Sequence, residues 1–264
     1  MIQDRLRSFY ERRIAVPVGP DALVLDVGSG DKPSWRADVL LDRYPEDAFS
    51  GQRSGTGRTR VVRPLFDADA ADMPFADGVF DYAICSHVLE HVTDPVGVVR
   101  ELTRVAKAGY IEVPEASAAK IIDFPSHLWW CRLDSSTEPP TLVFTAKQAA
   151  AFDPEIDAYL RRSGLAEPVK RLIDTRHHEN VIALHWSGEQ PARAEGEHDP
   201  AFVEATINAE AHHRGAEAVV ARALTVALTA RKPKRSGPIR YDDVVKPELR
   251  RGDGAVLENR LYRL

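Results

Sequence analysis

Apolar positions in the first half of the chain fall into short dense runs, separated by one helical stripe and by turn residues. Leu23 to Val27 is apolar except for Asp26, the pattern of a central parallel strand covered on both faces. Val39 to Asp42, Val61-Val62, Tyr82 to Cys85 and Tyr110 to Val113 predict strands two to five. Val96, Val99, Leu102 and Val105 recur at helical spacing ahead of the last of these. Asp94 is placed to cap that helix, Pro95 to open it and Gly109 to close it. Such alternation of strand and helix predicts an α/β fold with a doubly wound, mostly parallel sheet and helices on both faces. Ile2 to Arg13 predicts a short amphipathic helix before the first strand.

Beyond Pro114 the rhythm changes. Ser126 to Leu133 and Thr141 to Phe144 predict two strands of a hairpin, which would lie over the carboxyl edge of the sheet as a cap. Thr145 and Asp153-Pro154 are expected to begin short helices, the second ending at Gly164. His178 to Trp186 predicts a late strand, Ser187 to Pro200 a polar linker, Ala201 to Ala230 a long alanine-rich helix and Val256 to Leu264 a last strand. The expected organisation is a main domain over 1–186, with a cap insertion at 115–145, then a linker, helix and tail over 187–264.

The first strand runs into Gly28-Ser29-Gly30. Glycines at that point let the backbone enter positive φ and leave a ligand room against the main chain. A glycine turn after the first strand is where open α/β sheets bind nucleoside-like cofactors. A dinucleotide fingerprint needs a third glycine where Pro33 stands, and a helix N-terminus to seat the pyrophosphate. Gly28 to Asp38 is too short for a full crossover helix, so a nicotinamide oxidoreductase is disfavoured. An adenosine cofactor without phosphates fits better, with Asp42 at the end of strand two able to accept from both ribose hydroxyls.

Asp67-Ala68-Asp69-Ala70-Ala71-Asp72-Met73-Pro74-Phe75 is followed by Phe80-Asp81-Tyr82 and by Val88-Leu89-Glu90-His91. In this order and spacing, Ala22 to Pro114 resembles the class I S-adenosylmethionine-dependent methyltransferases of the type 11-like branch, which have a Rossmann-like fold. The resemblance implies S-adenosyl-L-methionine as cofactor. It places Asp26, Gly28, Ser29 and Gly30 at its methionine part and Asp42 at the ribose. Asp69 would take the adenine amino group, the Ala70 backbone an adenine ring nitrogen, and Ser86 a place in the same pocket. Lys32 stands where the family often has a further glycine.

Methyl transfer is an in-line displacement that mainly requires alignment. His87, directly after the fourth strand, is the candidate general base. The alternative is that it shapes the pocket or bonds to a backbone carbonyl. His87, Glu90 and His91 lie at i, i+3 and i+4, and H-x-x-E-H could hold a divalent ion; the resemblance extends to the E-x-x-E-H cluster of some quinone-type O-methyltransferases at this position. Three helical ligands without a fourth are a weak metal set, so Glu90 and His91 are expected to be fold elements and no metal is expected. His127, Trp129 and Trp130 are candidates for an acceptor platform, with the two indoles on opposite faces of a strand. His177, His178 and Glu179 read as solvated strand-edge residues in preference to metal ligands, with no cysteine or carboxylate cluster near them in sequence.

The 264 residues are 44% hydrophobic and 28% charged, with a net charge of −5, which argues against a general nucleic-acid binder. No apolar run approaches the ~20 residues of a membrane span. Two cysteines, Cys85 and Cys131, are too few for a disulfide scaffold. The expected setting is cytoplasmic, with a homodimer through the C-terminal helix as one arrangement. The expected activity is methyl transfer to a small-molecule or glycan-type hydroxyl. A non-catalytic S-adenosylmethionine-binding or scaffold protein is the alternative.

Overall fold

The computed structural model describes residues 14–43, 59–122, 124–149, 151–207 and 235–264. Strand β1, Val24–Val27, is buried along its whole length and lies at the centre of a seven-stranded sheet of order β10-β3-β2-β1-β4-β5-β8. Its parallel neighbours are β2, Val39–Asp42, and β4, Tyr82–Ser86. The chain therefore builds outward from β1 to β2 and β3 (Leu65–Asp67), then returns to β4 and β5 (Ala108–Pro114) on the other side. That reversal is a topological switch point, and it opens a crevice at the carboxyl ends of β1 and β4. The link from β1 to β2 contains no helix, as its length requires.

Helix α1, Pro95–Val105, starts where Asp94 accepts from the Gly97 amide at 2.8 Å. It buries Val98, Val99, Leu102 and Val105 against the sheet face formed by Leu25, Val27, Ala83, Cys85 and Ile111. On the opposite face Val24, Tyr82, Ile84 and Tyr110 pack against Ile14, Val16 and Val18, which belong to an irregular segment. Arg36, almost fully buried, pins this segment by donating to the carbonyls of Gly19 and Ala22 and pairing with Asp38.

Several elements differ from the sequence reading. The third strand is Leu65–Asp67, because Val61 is exposed, Val62 only half-buried against Leu40 and Leu65, and the pairing with β2 begins only after Pro64. Gly109 does not cap α1, whose C-cap is Ala106; it lies inside β5, where a Cβ would meet Ala83 O and the Trp186 ring, each at 2.5 Å. Short helix α2, Ala116–Ile121, follows β5. The expected hairpin forms from β6, Trp129–Asp134, and β7, Thr141–Ala146, so Thr145 continues a strand instead of starting a helix. Asp153 caps α3, Pro154–Arg162, and α4, Ala166–Thr175, comes next.

His177–Glu179 is a single 3-10 turn leading into β8, Val181–Ser187, which closes the sheet antiparallel to β5. The expected polar linker contains β9, Ala192–Glu195, which adds a parallel third strand to the cap hairpin beside β7. Helix α5, Pro200–Ile207, is the described beginning of the alanine-rich segment. The expected helix at 2–13, the Ser50 to Thr59 loop apart from Thr59, and most of the helix to Ala230 lie outside the described residues. Near the C-terminus α6, Tyr241–Val244, and β10, Leu261–Arg263, seal the β3 edge. There Tyr262 stacks on Phe66 with ring centroids 5.0 Å apart.

Candidate active site

The glycine turn is held by backbone geometry. Gly28 and Gly30 have φ of 70° and 51°, and the Gly28 amide donates to Leu41 O at 2.8 Å. Asp42 stitches the turn to β2: its Oδ2 accepts from the Gly30 amide at 2.8 Å and from Thr59 Oγ1 at 3.2 Å. A Cβ on Gly30 would meet nothing nearer than 3.9 Å, so the turn faces open space there. A Cβ on Gly28 would lie 2.3 Å from Val88 Cγ2. The turn after β4 thus packs directly on the turn after β1.

Asp26 accepts from the Ser34 amide at 2.6 Å. Burial pushes its carboxyl up to about 7, with the Ser34 amide opposing and the Asp42 charge adding to the rise. Ser29 Oγ is buried and has no hydrogen-bond partner among the described residues. Two carboxylates, an orphaned hydroxyl and open glycine backbone suit a ligand with an ammonium and hydroxyl groups. They oppose a pyrophosphate, which also finds no helix N-terminus here. S-adenosylmethionine fits this donor and acceptor set. Asp69 lies further out, 40% exposed at its side chain, accepting from the Ala71 amide and paired with Arg43, while Ala70 beside it is buried.

The other wall of the crevice is built from side chains. His87 is the one non-glycine residue with positive φ among the described residues, at 55°, and its amide donates to Glu112 O. This left-handed step ends β4 and turns the ring between two carboxylates. Nδ1 lies 3.0 Å from Glu90 Oε1 and Nε2 lies 3.1 Å from Glu112 Oε1. Desolvation would lower the His87 pKa, but the hydrogen bonds to Glu112 and Glu90 outweigh it and push the value up to about 10. Burial works against the charge of Glu90 as well, and His87 overcomes it, holding the carboxyl at about 2. An imidazolium engaged at both nitrogens has no lone pair with which to take a proton.

Glu112 collects further partners: Ser86 Oγ at 3.1 Å, the Tyr110 hydroxyl, and His177 Nε2 at 3.3 Å. Glu112 is not among the sequence candidates, and His177, expected as a solvated strand-edge residue, instead has a side chain only 12% exposed. A charged residue inside Tyr110-Ile111-Glu112-Val113, a strand buried on both faces, was the available signal for Glu112. No local pattern marks His177, which reaches Glu112 only because β8 folds back along β5.

The segment carrying H-x-x-E-H is a turn, because α1 begins only at Pro95; the three residues therefore do not share a helix face. Glu90 is fully buried and its Oε2 lacks a partner among the described residues. His91 Nδ1 lies 2.8 Å from Ser126 O, and its ring meets that of His127 edge to face. The Glu90 carbonyl accepts from the Leu128 amide, so this cluster ties the β4 turn to the cap. Trp129 and Trp130 point to opposite faces of β6. Trp129 Nε1 donates to Val92 O at 2.7 Å, whereas the Trp130 ring carries the Lys147 ammonium 4.6 Å from its centroid.

Residues 42–111, from the end of β2 into β5, match the model of a family described as a methyltransferase domain. The demethylmenaquinone methyltransferase of Paenarthrobacter aurescens (strain TC1) is 33% identical over 105 residues, 40% of this chain and 42% of that protein. The ajmaline N-methyltransferase of Rauvolfia serpentina is 46% identical over 66 residues, 25% of this chain and 23% of that one. The chain thus spans less than half the length of either relative. A solved SAM-dependent methyltransferase from Thermotoga maritima aligns over 72% of this chain and 87% of its own, with 13% identity and a TM-score of 0.36. No helix among the described residues is long and apolar enough to cross a membrane. The methyltransferase-domain match thus runs from β2 into β5, on a sheet whose glycine turn lies at its switch point.

Proposed function

We propose that this chain transfers a methyl group from S-adenosylmethionine to a hydroxyl of a small-molecule or glycan-type acceptor in the crevice between the two turns. The observation that carries the reading is the Gly28–Gly30 turn, locked to Asp42 and open on its outer side. The bound cofactor supplies a methyl group on a sulfonium, already activated for displacement. Asp26 and Ser29 would hold its amino-acid part, Asp42 the ribose and Asp69 with Ala70 the adenine. Ser86, His87 and His177 give the facing wall a polar, hydrogen-bonding character that suits a hydroxyl acceptor. His87 enters this reading as a positioning group that orders the wall through Glu90 and Glu112, not as the base its place after β4 suggests, because both nitrogens lie on carboxylates. The relatives' names carry two different acceptors, demethylmenaquinone and ajmaline; they support a small molecule and leave the acceptor atom open.

Calorimetry with S-adenosylhomocysteine tests the cofactor half. Asp42→Ala should weaken binding by about 1.5–3 kcal/mol, the range for hydrogen bonds to a charged group. An unchanged dissociation constant in a folded variant would remove Asp42 from the ribose. Tight binding with no turnover on a panel of phenols, quinols and sugars would favour the non-catalytic reading.

A further inference from the structure

We propose that His87, Glu112 and His177 form a binding site for one divalent transition-metal ion, facing the acceptor crevice. The three side chains come from three elements: the end of β4, the middle of β5 and the 3-10 turn before β8. Glu112 Oε1 lies 3.1 Å from His87 Nε2 and 3.3 Å from His177 Nε2, and all three ligand atoms fall within 4.8 Å of one another. Ligands bonded at about 2.0–2.2 Å to a tetrahedral ion stand roughly 3.3 Å apart, so the spacing already present is close to that of a coordination shell.

The surroundings are those of a ligand set. His87 Nδ1 rests on the Glu90 carboxylate, the arrangement that orients a metal-bound imidazole and makes its other nitrogen a better donor. Glu112 Oε2 accepts from the Tyr110 hydroxyl, and Oε1, which also accepts from Ser86 Oγ at 3.1 Å, is the oxygen that both imidazoles face and hence the ligand atom. The left-handed backbone at His87, unfavourable for a residue with a Cβ, is what turns the ring inward. Glu90 and Glu112 are both buried, and one divalent ion with two neutral imidazoles balances their two charges. On binding, the ion takes the place of the proton that His87 Nε2 carries toward Glu112, and that proton leaves to solvent.

Two imidazoles and one carboxylate select a borderline ion such as Zn2+, Co2+ or Fe2+ over Mg2+ or Ca2+. The His87 side chain is 41% exposed, so the fourth position points to the crevice, where a water or an acceptor oxygen can take it. The metal site stands on the three side chains alone; its use in orienting an acceptor rests on the methyltransferase reading. This set shares only His87 with the H-x-x-E-H spacing.

The full chain, stripped with a chelator and dialysed, would be titrated with Zn2+ against a chromophoric competitor, and with Co2+ followed by its visible absorption. One equivalent should bind, with Co2+ showing the intense bands of a tetrahedral site. His177→Ala and Glu112→Gln should each weaken binding by about 100-fold, at or beyond the upper end of what loss of an outer-shell partner does. The exposed His178→Ala should match the parent. Circular dichroism and S-adenosylhomocysteine binding, measured on the same samples, should stay unchanged. Absence of a stoichiometric ion in the parent, or equal affinity in folded His177→Ala and Glu112→Gln, would overturn the site. Loss of S-adenosylhomocysteine binding by the parent would instead strike the cofactor reading.

Discussion

The two walls of the crevice, one beside β1 and one beside β4, are made of different material. Beside β1 the main chain shapes the surface: two positive-φ glycines, amide contacts to Leu41 and Asp42, and a hydroxyl left over on Ser29. Beside β4 the surface is a relay of side chains, from Glu90 through His87 to Glu112 and His177, collected from residues up to 90 positions apart in sequence. A wall of backbone is set by local sequence and tolerates few side chains. A wall of charged side chains depends on mutual compensation, since each buried carboxylate is stable only while its partner is present. The two meet where Gly28 packs on Val88.

That junction is where the largest effect is expected. Gly28→Val would force a branched residue into φ of 70° and place its Cβ 2.3 Å from Val88 Cγ2. Strain and overpacking together should cost about 3–5 kcal/mol and displace the β4 turn with it. Gly30→Ala meets open space and should cost only about 1–2 kcal/mol, from the left-handed backbone. Urea unfolding of both, with S-adenosylhomocysteine calorimetry, checks the contrast. A Gly28→Val protein of parental stability that still binds the ligand would break the assignment of the turn.

The next effect sharpens the backbone side. Asp26, 6% exposed, has its pKa raised from 3.8 to about 7 by burial. Between those values the unfolded chain ionises while the folded chain stays protonated, so stability should fall as pH rises from about 4 to about 7 and then level off. The full shift corresponds to at most about 4 kcal/mol. Asp26→Asn, whose amide oxygen can still accept from Ser34, should be more stable than the parent by about 2–4 kcal/mol at about pH 8 and equal to it near pH 4. Denaturation across that range decides it; parallel pH profiles for the two proteins would mean that Asp26 is ionised in the fold.

The same contrast explains what the sequence made legible. β1, β2, β4, α1 and the Gly28–Gly30 turn are local objects, each written in fewer than a dozen consecutive residues, and they lie where periodicity and capping place them. Gly109 was misread because a glycine near a helix end has two physical causes, a left-handed cap or a close approach; here the Trp186 ring, 77 residues away, supplies the second. His87 stood out by position, but its protonation depends on Glu112, which no spacing rule connects to it. The polar stretch after Ser187 reads as a linker because β9 needs only backbone pairing to β7, and its side chains are largely exposed.

The smallest expected effect separates the two faces of the cap. Trp129 and Trp130 are adjacent and nearly equally buried, at 5% and 8% exposed, yet β6 sends them to different surroundings. Trp129 joins the main core and donates through Nε1 to Val92 O at 2.7 Å, tying the cap to the turn below β4. Trp129→Phe keeps most of the ring but leaves that carbonyl without its donor, which should cost about 1–3 kcal/mol. Trp130 packs on Ala116 and Ala119 and faces Lys147 and Lys120, whose ammonium groups lie 4.6 and 5.8 Å from the ring centroid. Trp130→Phe keeps an aromatic face under both cations, so it should lose less than about 1 kcal/mol. Both variants should bind S-adenosylhomocysteine as the parent does. Equal destabilisation in thermal and urea unfolding would show that the bond to Val92 does not anchor the cap. A larger loss at Trp130 would move the anchor to the lysine-bearing face, away from the crevice.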